Sequence, residues 1–235
     1  MISVCMATYN GEKFIKEQID SILPQLSNDD EIIISDDGST DKTVDIIENY
    51  YDSRIKLLKD NRFRSTIYNL ENALKHSNGD VVFLCDQDDK WSSNKVEICL
   101  SYMDDYDLII HDAYITDSNL NITHDSFFKV NNTKYGKWQN IVKNGYHGCC
   151  MVVKRKLLNA VLPFPQKLPM HDMYIGNFAA FNNFKIKFIK EKLLFYRRHE
   201  NNVSESSNKS KRKLSDRIKD RYIILTNVFT KDKKC

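Results

Sequence analysis

The 235-residue chain contains no CxxC pair, no GxGxxG turn and no apolar run approaching the roughly 20 residues that cross a bilayer. Each absence removes a class. Without a glycine-rich phosphate turn between strand and helix, a dinucleotide-dependent dehydrogenase is disfavoured. The six cysteines, Cys5, Cys85, Cys99, Cys149, Cys150 and Cys235, follow no paired spacing, and several fall inside apolar runs. They read as reduced, mostly buried thiols, and the adjacent Cys149 and Cys150 read as core rather than zinc ligands, because no second cysteine pair accompanies them. The N-terminal ISVCMAT is strand-like and lacks the basic region and long apolar core of a signal peptide. The expected setting is cytoplasmic, or peripheral on the inner face of the plasma membrane. No internal repeat is visible.

What the chain has is a globular composition, 41% hydrophobic and 11% aromatic, at a length that suits one large α/β domain with a tail. Its net charge of +3 is uneven: from Lys209 to Lys234 ten Lys or Arg stand against three Asp, a net +7, which leaves residues 1–208 at −4.

Strand-like and helix-like segments alternate, the pattern of a wound, mainly parallel sheet. Strands are expected at Ile2 to Ala7, Glu31 to Ser35, Ile55 to Leu58, Val81 to Cys85, Leu108 to Ile110, Gly148 to Val153, Lys185 to Lys190 and Leu193 to Tyr196. Between them, helices are expected around Ile15 to Leu23, Thr40 to Tyr51 with Ser39 or Thr40 as N-cap, Ser65 to His76 with a stop at Asn78 and Gly79, Val96 to Met103, Trp138 to Val142, Arg155 to Val161 and Asp172 to Phe181.

Chemistry-bearing residues fall at three strand ends. The first strand ends on Thr8, Tyr9 and Asn10, the second on Asp36 and Asp37, and VVFLC runs into Asp86, Gln87, Asp88 and Asp89. A buried strand ending on three carboxylates needs a cation or donors to hold them ionised, and hard divalent ions such as Mg2+ and Mn2+ take such ligands. In a parallel sheet the three ends share one edge, where open α/β sheets place ligands. A nucleoside diphosphate suits them together: a carboxylate for the base N–H, polar groups for the ribose, and a carboxylate-held metal for the phosphates.

Six segments in order, SVCMATYNGEKFI, IIISDDGSTDKT, NGDVVFLCDQDDKW, HGCCMVVKR, MHDMYIG and YRRHENNVS, resemble the successive motifs of the family 2 glycosyltransferases over about Ile2 to Ser204. The HD pair with a later YRxH is most similar to the rhamnosyltransferase-like branch. The resemblance implies a GT-A (Rossmann-like) α/β domain over residues 1–204, with a nucleotide-binding half at 1–112 and an acceptor-side half at 113–204, followed by a basic amphipathic tail at 205–235. It implies inverting, metal-dependent transfer from a UDP- or dTDP-sugar to a saccharide hydroxyl in surface polysaccharide synthesis, with lipid-linked acceptors common. Position by position, it implies that Asp37 accepts from the base N3–H beside Thr8, that Asp86 contacts the ribose, and that Asp88 or Asp89 holds the Mn2+ or Mg2+. It further implies that His199 completes the metal and diphosphate site and that Asp172 is the general base; Arg197 or Arg198 suits phosphate oxygens. HDMY carries Met173 where this branch often has an aromatic residue, which leaves sugar and acceptor open.

Other classes fit less well. A nucleotidyltransferase usually begins on a Gly- and basic-rich phosphate loop, whereas MATYNGEKF has one Gly and one Lys. A response-regulator-like phosphoacceptor leaves the second half unexplained, and a non-catalytic sugar-nucleotide binding protein is the remaining alternative. His111, His124 and His147 lack ligand spacing and read as structural. In the tail, after a polar stretch at 204–210, Leu214, Ile218, Tyr222, Leu225 and Phe229 recur at helical spacing among basic residues, the pattern of a helix lying on an anionic membrane surface. Ile223, Ile224 and Val228 widen that face, as packing on the body or in a homo-oligomer would require. Nucleic acid is not expected, because the stripe is too apolar and no base-reading motif accompanies it.

Overall fold

The computed structural model describes residues 1–200 and 213–230; the polar stretch at 204–210, the boundary drawn at 204 and Cys235 lie outside the described residues. Strands β1 (Ile2–Thr8), β2 (Glu31–Asp36), β3 (Ile55–Leu58) and β4 (Val81–Asp86) lie parallel in the order β3–β2–β1–β4. Strands covered on both faces can be apolar throughout, and Val4, Met6, Ile32, Ile33, Ile34, Val82 and Phe83 are all fully buried. Each such side chain contributes about 1.5–3 kcal/mol. Helices α1 (Ile15–Ile22), α2 (Thr43–Glu48) and α3 (Thr66–Lys75) make the crossovers. Thr8 stands opposite Asp36 and Ala7 opposite Asp86, so the three chemistry-bearing strand ends finish level.

The second half adds β5 (Lys90–Trp91), β6 (Leu108–Thr116), β7 (Ile122–His124), β8 (Met151–Lys154) and β9 (Ile186–Arg197), with α4 (Lys95–Met103), α5 (Phe127–Asn131), α6 (Lys137–Val142), α7 (Arg155–Val161), α8 (His171–Phe181) and α9 (Leu214–Thr230). Strand β8 inserts antiparallel between β4 and β6, β9 runs parallel to β6, and β5 and β7 pair antiparallel with β9 and β6. Six of the nine described strands therefore run one way, and the sheet is mainly parallel, as expected.

Several elements differ from the sequence reading for identifiable reasons. The short strand at Leu108 continues to Thr116, and the two expected segments after Lys185 are one strand whose register against β6 shifts between His111 and Tyr114. Helix α2 begins only at Thr43, with Lys42 at the N-cap position: Ser39 gives its hydroxyl to Asp36, and Asp41 Oδ1, one residue before the cap, accepts from Thr43 N at 3.0 Å. Gly148–Cys150 form a 3-10 turn before β8 where a strand was expected. The five described cysteines are free and buried, as expected.

Gly79 is not a helix terminator: α3 ends at Lys75 with His76 as its cap. It is required by close approach, since a Cβ there would lie 2.5 Å from Ser3 N and 2.7 Å from Ile2 C, both backbone atoms of β1. Gly79→Ala is therefore expected to cost about 1–3 kcal/mol of stability, read as a lower urea midpoint; an unchanged midpoint would show that the 77–80 turn yields freely.

Candidate active site

The loops after β1 and β2 are laced together. Asp36 is buried, and its carboxylate accepts from Thr8 Oγ1 at 2.9 Å, Gly38 N at 3.1 Å, Ser39 N at 2.8 Å and Ser39 Oγ at 2.6 Å. It shapes the turn, in which Gly38 adopts a φ of +81° that suits glycine. Asn10 donates its N–H to Ser39 Oγ at 2.8 Å and accepts from Thr40 N at 2.8 Å. Asp37 is half-buried and accepts from Phe63 N at 2.5 Å and Ser65 N at 3.2 Å, which ties the loop before α3 to the same edge. Tyr9 is 55% exposed, while its backbone N–H and C=O are both held by the Gln87 side-chain amide, each at 3.0 Å.

At the end of β4 the carboxylates occupy different environments. Asp88 Oδ2 lies 2.8 Å from His199 Nε2, and the His199 ring packs on Phe14 with centroids 4.8 Å apart. Asp89 is fully buried: its Oδ1 accepts from Arg197 N at 3.0 Å, and its Oδ2 receives no N–H or O–H. Asp86, Asp89 and the Cys149 thiol each offer a ligand atom within 4.8 Å of the other two. Burial, with the charges of Asp88 and Asp172, pushes the Asp86 carboxyl up to about 7. Burial and the charges of Asp88 and Asp86 raise Asp89 well above the usual carboxylate range. Beneath them lies a buried cation, Lys95, whose Nζ donates to Cys149 O at 3.0 Å and sits 4.1 Å from the Trp91 ring centroid. The Asp88 carboxylate and the His199 imidazole, 2.8 Å apart, are donors of the kind that fit Mg2+ or Mn2+.

Across from this cluster, Asp172 lies in the first turn of α8, is 4% exposed, and accepts from Met173 N at 2.6 Å. Burial raises its carboxyl to about 6, while hydrogen bonds from Met173 N, the Asn144 side chain and Gly148 N keep it from rising further. Its charge is felt at Asp86, so the first and second halves of the chain meet in one electrostatic site. Asn144 is itself fixed by Tyr146, whose N–H and C=O lie 3.2 Å and 3.1 Å from its side-chain amide.

The two arginines divide. Arg197 is 3% exposed, donating from Nη1 to Ser118 O at 2.9 Å and from Nη2 to Glu17 Oε2, with its guanidinium 4.5 Å from the Phe14 ring centroid. It braces β9 against α1 instead of facing the strand-end edge. Arg198 is half-buried, with its guanidinium carbon 5.8 Å from the Tyr196 ring centroid, and burial lowers its pKa.

Sequence reasoning missed Gln87, Lys95, Asn144 and Gly148. Lys95 precedes Cys99 and Met103 on one buried helical line, a core position for a cation and thus a readable signal. A Cβ at Gly11 would meet Gln87 Oε1 at 2.4 Å, a contact that the sequence does not announce. Asn144 and Gly148 carry no local sequence signal.

The family model described as Glycosyl transferase family 2 matches residues 3–162. The chain is 31% identical over 217 residues to the dTDP-rhamnosyl transferase RfbG of Shigella flexneri, covering 84% of this chain and 72% of RfbG. It is 30% identical over 186 residues, 74% of this chain, to WfgD of Escherichia coli, a UDP-Glc:alpha-D-GlcNAc-diphosphoundecaprenol beta-1,3-glucosyltransferase, of which it covers 68%. Among solved structures, S. aureus TarS 1-349 in complex with UDP-GlcNAc superposes with a TM-score of 0.72 at 21% identity, over 100% of this chain and 67% of that one. Against the UDP complex of the same TarS fragment, this chain spans 60% of its length. These likenesses identify the fold as the GT-A type expected.

Carbon-13 NMR of the metal-free protein should show a carboxyl titrating near pH 6 that Asp172→Asn removes. In Asn144→Ala it should titrate at higher pH, because a donor to the ionised form is lost; an unshifted signal would show that Asn144 does not hold Asp172.

Proposed function

The chain is a member of glycosyl transferase family 2, and on that premise we propose that it moves a sugar, with inversion, from a UDP- or dTDP-sugar to a hydroxyl of a saccharide acceptor. The supporting observation is that Thr8, Asp36 and Asp86 finish level on one edge of the sheet, beside the Asp88–His199 pair. Donor binding falls to the first half, residues 1–112, and the acceptor side to 113–204.

In this reading the level strand ends receive the nucleotide. Asp37, beside Thr8, accepts from the N3–H of uracil or thymine, bases that present the same edge, while Tyr9 and Asn10 line the entrance. Asp36 acts through the turn it shapes. Asp86 takes the ribose. Asp88 and His199 would hold Mn2+ or Mg2+, while Asp89, buried against Arg197 N, positions that loop from behind. When bound, the metal neutralises charge on the departing diphosphate. Arg198 is the arginine with access to phosphate oxygens, and Arg197 carries His199 into place. Ionised Asp172 removes the acceptor hydroxyl proton as that oxygen attacks the anomeric carbon, a single displacement that inverts the centre.

The name of WfgD specifies a diphosphoundecaprenol-linked acceptor, and a lipid-linked saccharide in surface polysaccharide synthesis is the acceptor proposed here. Incubation with UDP- and dTDP-sugars, with and without Mn2+, tests the reading by nucleotide release.

Asp172→Asn should lower kcat by about a hundredfold or more while calorimetric donor affinity stays near normal. For the wild type, kcat/KM should fall as pH drops through about 6, where Asp172 becomes protonated and ceases to be a base. Equal loss of donor binding in Asp172→Asn would move that residue to the donor side. Asp88→Asn should abolish the Mn2+ dependence of UDP binding and cut turnover; a variant keeping both would remove Asp88 from the metal.

A further inference from the structure

The apolar stripe of the tail divides in the structure. Helix α9 packs on α8 through Ile224 and Val228, both fully buried, with Ile223 and Leu225 half-buried. Three residues of the sequence stripe face outward instead: Ile218 is 60%, Tyr222 69% and Phe229 52% exposed. They do not stand alone. The Phe229 ring meets Phe181 at 5.3 Å, and Phe181 meets Trp138 of α6 at 4.9 Å, so Trp138, 62% exposed, continues the same surface. Arg221 ties the two helices together, donating to Ile141 O at 3.2 Å and Val142 O at 3.1 Å beside the exposed Val142 side chain.

Cations surround these aromatics. Lys137 Nζ lies 5.3 Å from the Phe181 ring centroid, and Lys143, Lys213, Arg217 and Lys219 are exposed nearby in sequence on the same two helices or their ends. Among the described residues 137–143 and 213–230, six cations stand against two acids, and one of those, Asp220, is buried. Residues 1–208 carry −4, or −6 without Lys137 and Lys143. An anionic surface is therefore attracted to this face more than to the rest of the body.

We propose that the outer faces of α6 and α9 form a docking surface for an anionic lipid bilayer, oriented to present a lipid-linked acceptor to Asp172. Trp and Tyr suit the headgroup level, and Lys and Arg the lipid phosphates around them. The surface and Asp172 share one helix: from Asp172 to Phe181, α8 rises about 14 Å at 1.5 Å per residue. The orientation rests on the lipid-linked acceptor reading above; the docking does not.

Two tryptophans occur, and Trp91 is buried, so fluorescence on vesicle binding reports Trp138. The full chain, mixed with phosphatidylcholine vesicles with and without phosphatidylglycerol, should co-sediment with the anionic vesicles alone, with a blue-shifted emission, and should detach as salt rises. Trp138→Glu with Tyr222→Glu replaces exposed side chains away from the strand-end site. It should lose vesicle affinity at least tenfold yet transfer normally to a soluble acceptor. Docking is overturned if the wild type ignores anionic vesicles, if the double variant binds them as well as wild type, or if sedimentation velocity shows a wild-type dimer that the variant breaks. Vesicle binding without nucleotide release from any sugar donor would leave docking standing and sink the transfer reading alone.

Discussion

Four carboxylates converge where β4 ends and α8 begins, and much of the structure exists to keep them there. Asp86 and Asp89 are raised by burial and by their neighbours' charges, so the cluster is unfavourable on its own. The frame opposes this with fixed donors and cations: Arg197 N on Asp89, His199 on Asp88, and the Lys95 charge beneath Asp86. Two of those three supports come from the end of β9, more than a hundred residues along the chain. The Arg197–Glu17 pair and the Phe14 ring then anchor that end to the start of α1. An ion pair with one partner exposed stabilises little in itself, and here it serves position. The site can thus form only when both halves of the sheet have closed.

The first half was legible because its physics is local. Continuous apolar runs such as EIIIS and VVFLC specify strands covered on both faces, and the polar residues following them fall at one edge once the strands are parallel. Thr8, Asp36, Asp37, Asp86 and Asp88 were placed at that edge this way, and register sets Thr8 and Asp36 side by side. What the pattern could not separate was one aspartate from its neighbour. Asp36 and Asp37 look alike in sequence, yet the first is enclosed by four donors and the second reaches across to the loop before α3. Asp88 and Asp89 likewise diverge only through contacts with β9.

The second half was less legible because its order depends on partners distant in sequence. Residues after Asp112 lose their alternation, yet β6 runs on to Thr116 because the far part of β9 lies beside it. The register shift between His111 and Tyr114 lets the Lys190–Glu191 stretch pass unpaired, so polar residues interrupt what is physically one strand. A sequence reader sees two segments. The same shift sets where Arg197 and His199 emerge, so the least readable feature of the sheet fixes two supports of the site.

Helix α8 shows how such a frame can tune a single group. Its residues from Asp172 to Ala179 are all buried, so neighbours on every side hold it in place. Two influences act oppositely on Asp172. A helix N-terminus and the donors Met173 N, Asn144 and Gly148 N favour the carboxylate, whereas burial favours the acid. Burial prevails, and the carboxyl rises to about 6, above the usual aspartate but still below neutral pH. Such a group is ionised in the cell yet holds a proton more strongly than an ordinary aspartate, the balance that a base for a weakly acidic hydroxyl needs. For the base proposed above, more donors would lower its affinity for the proton and fewer would raise it.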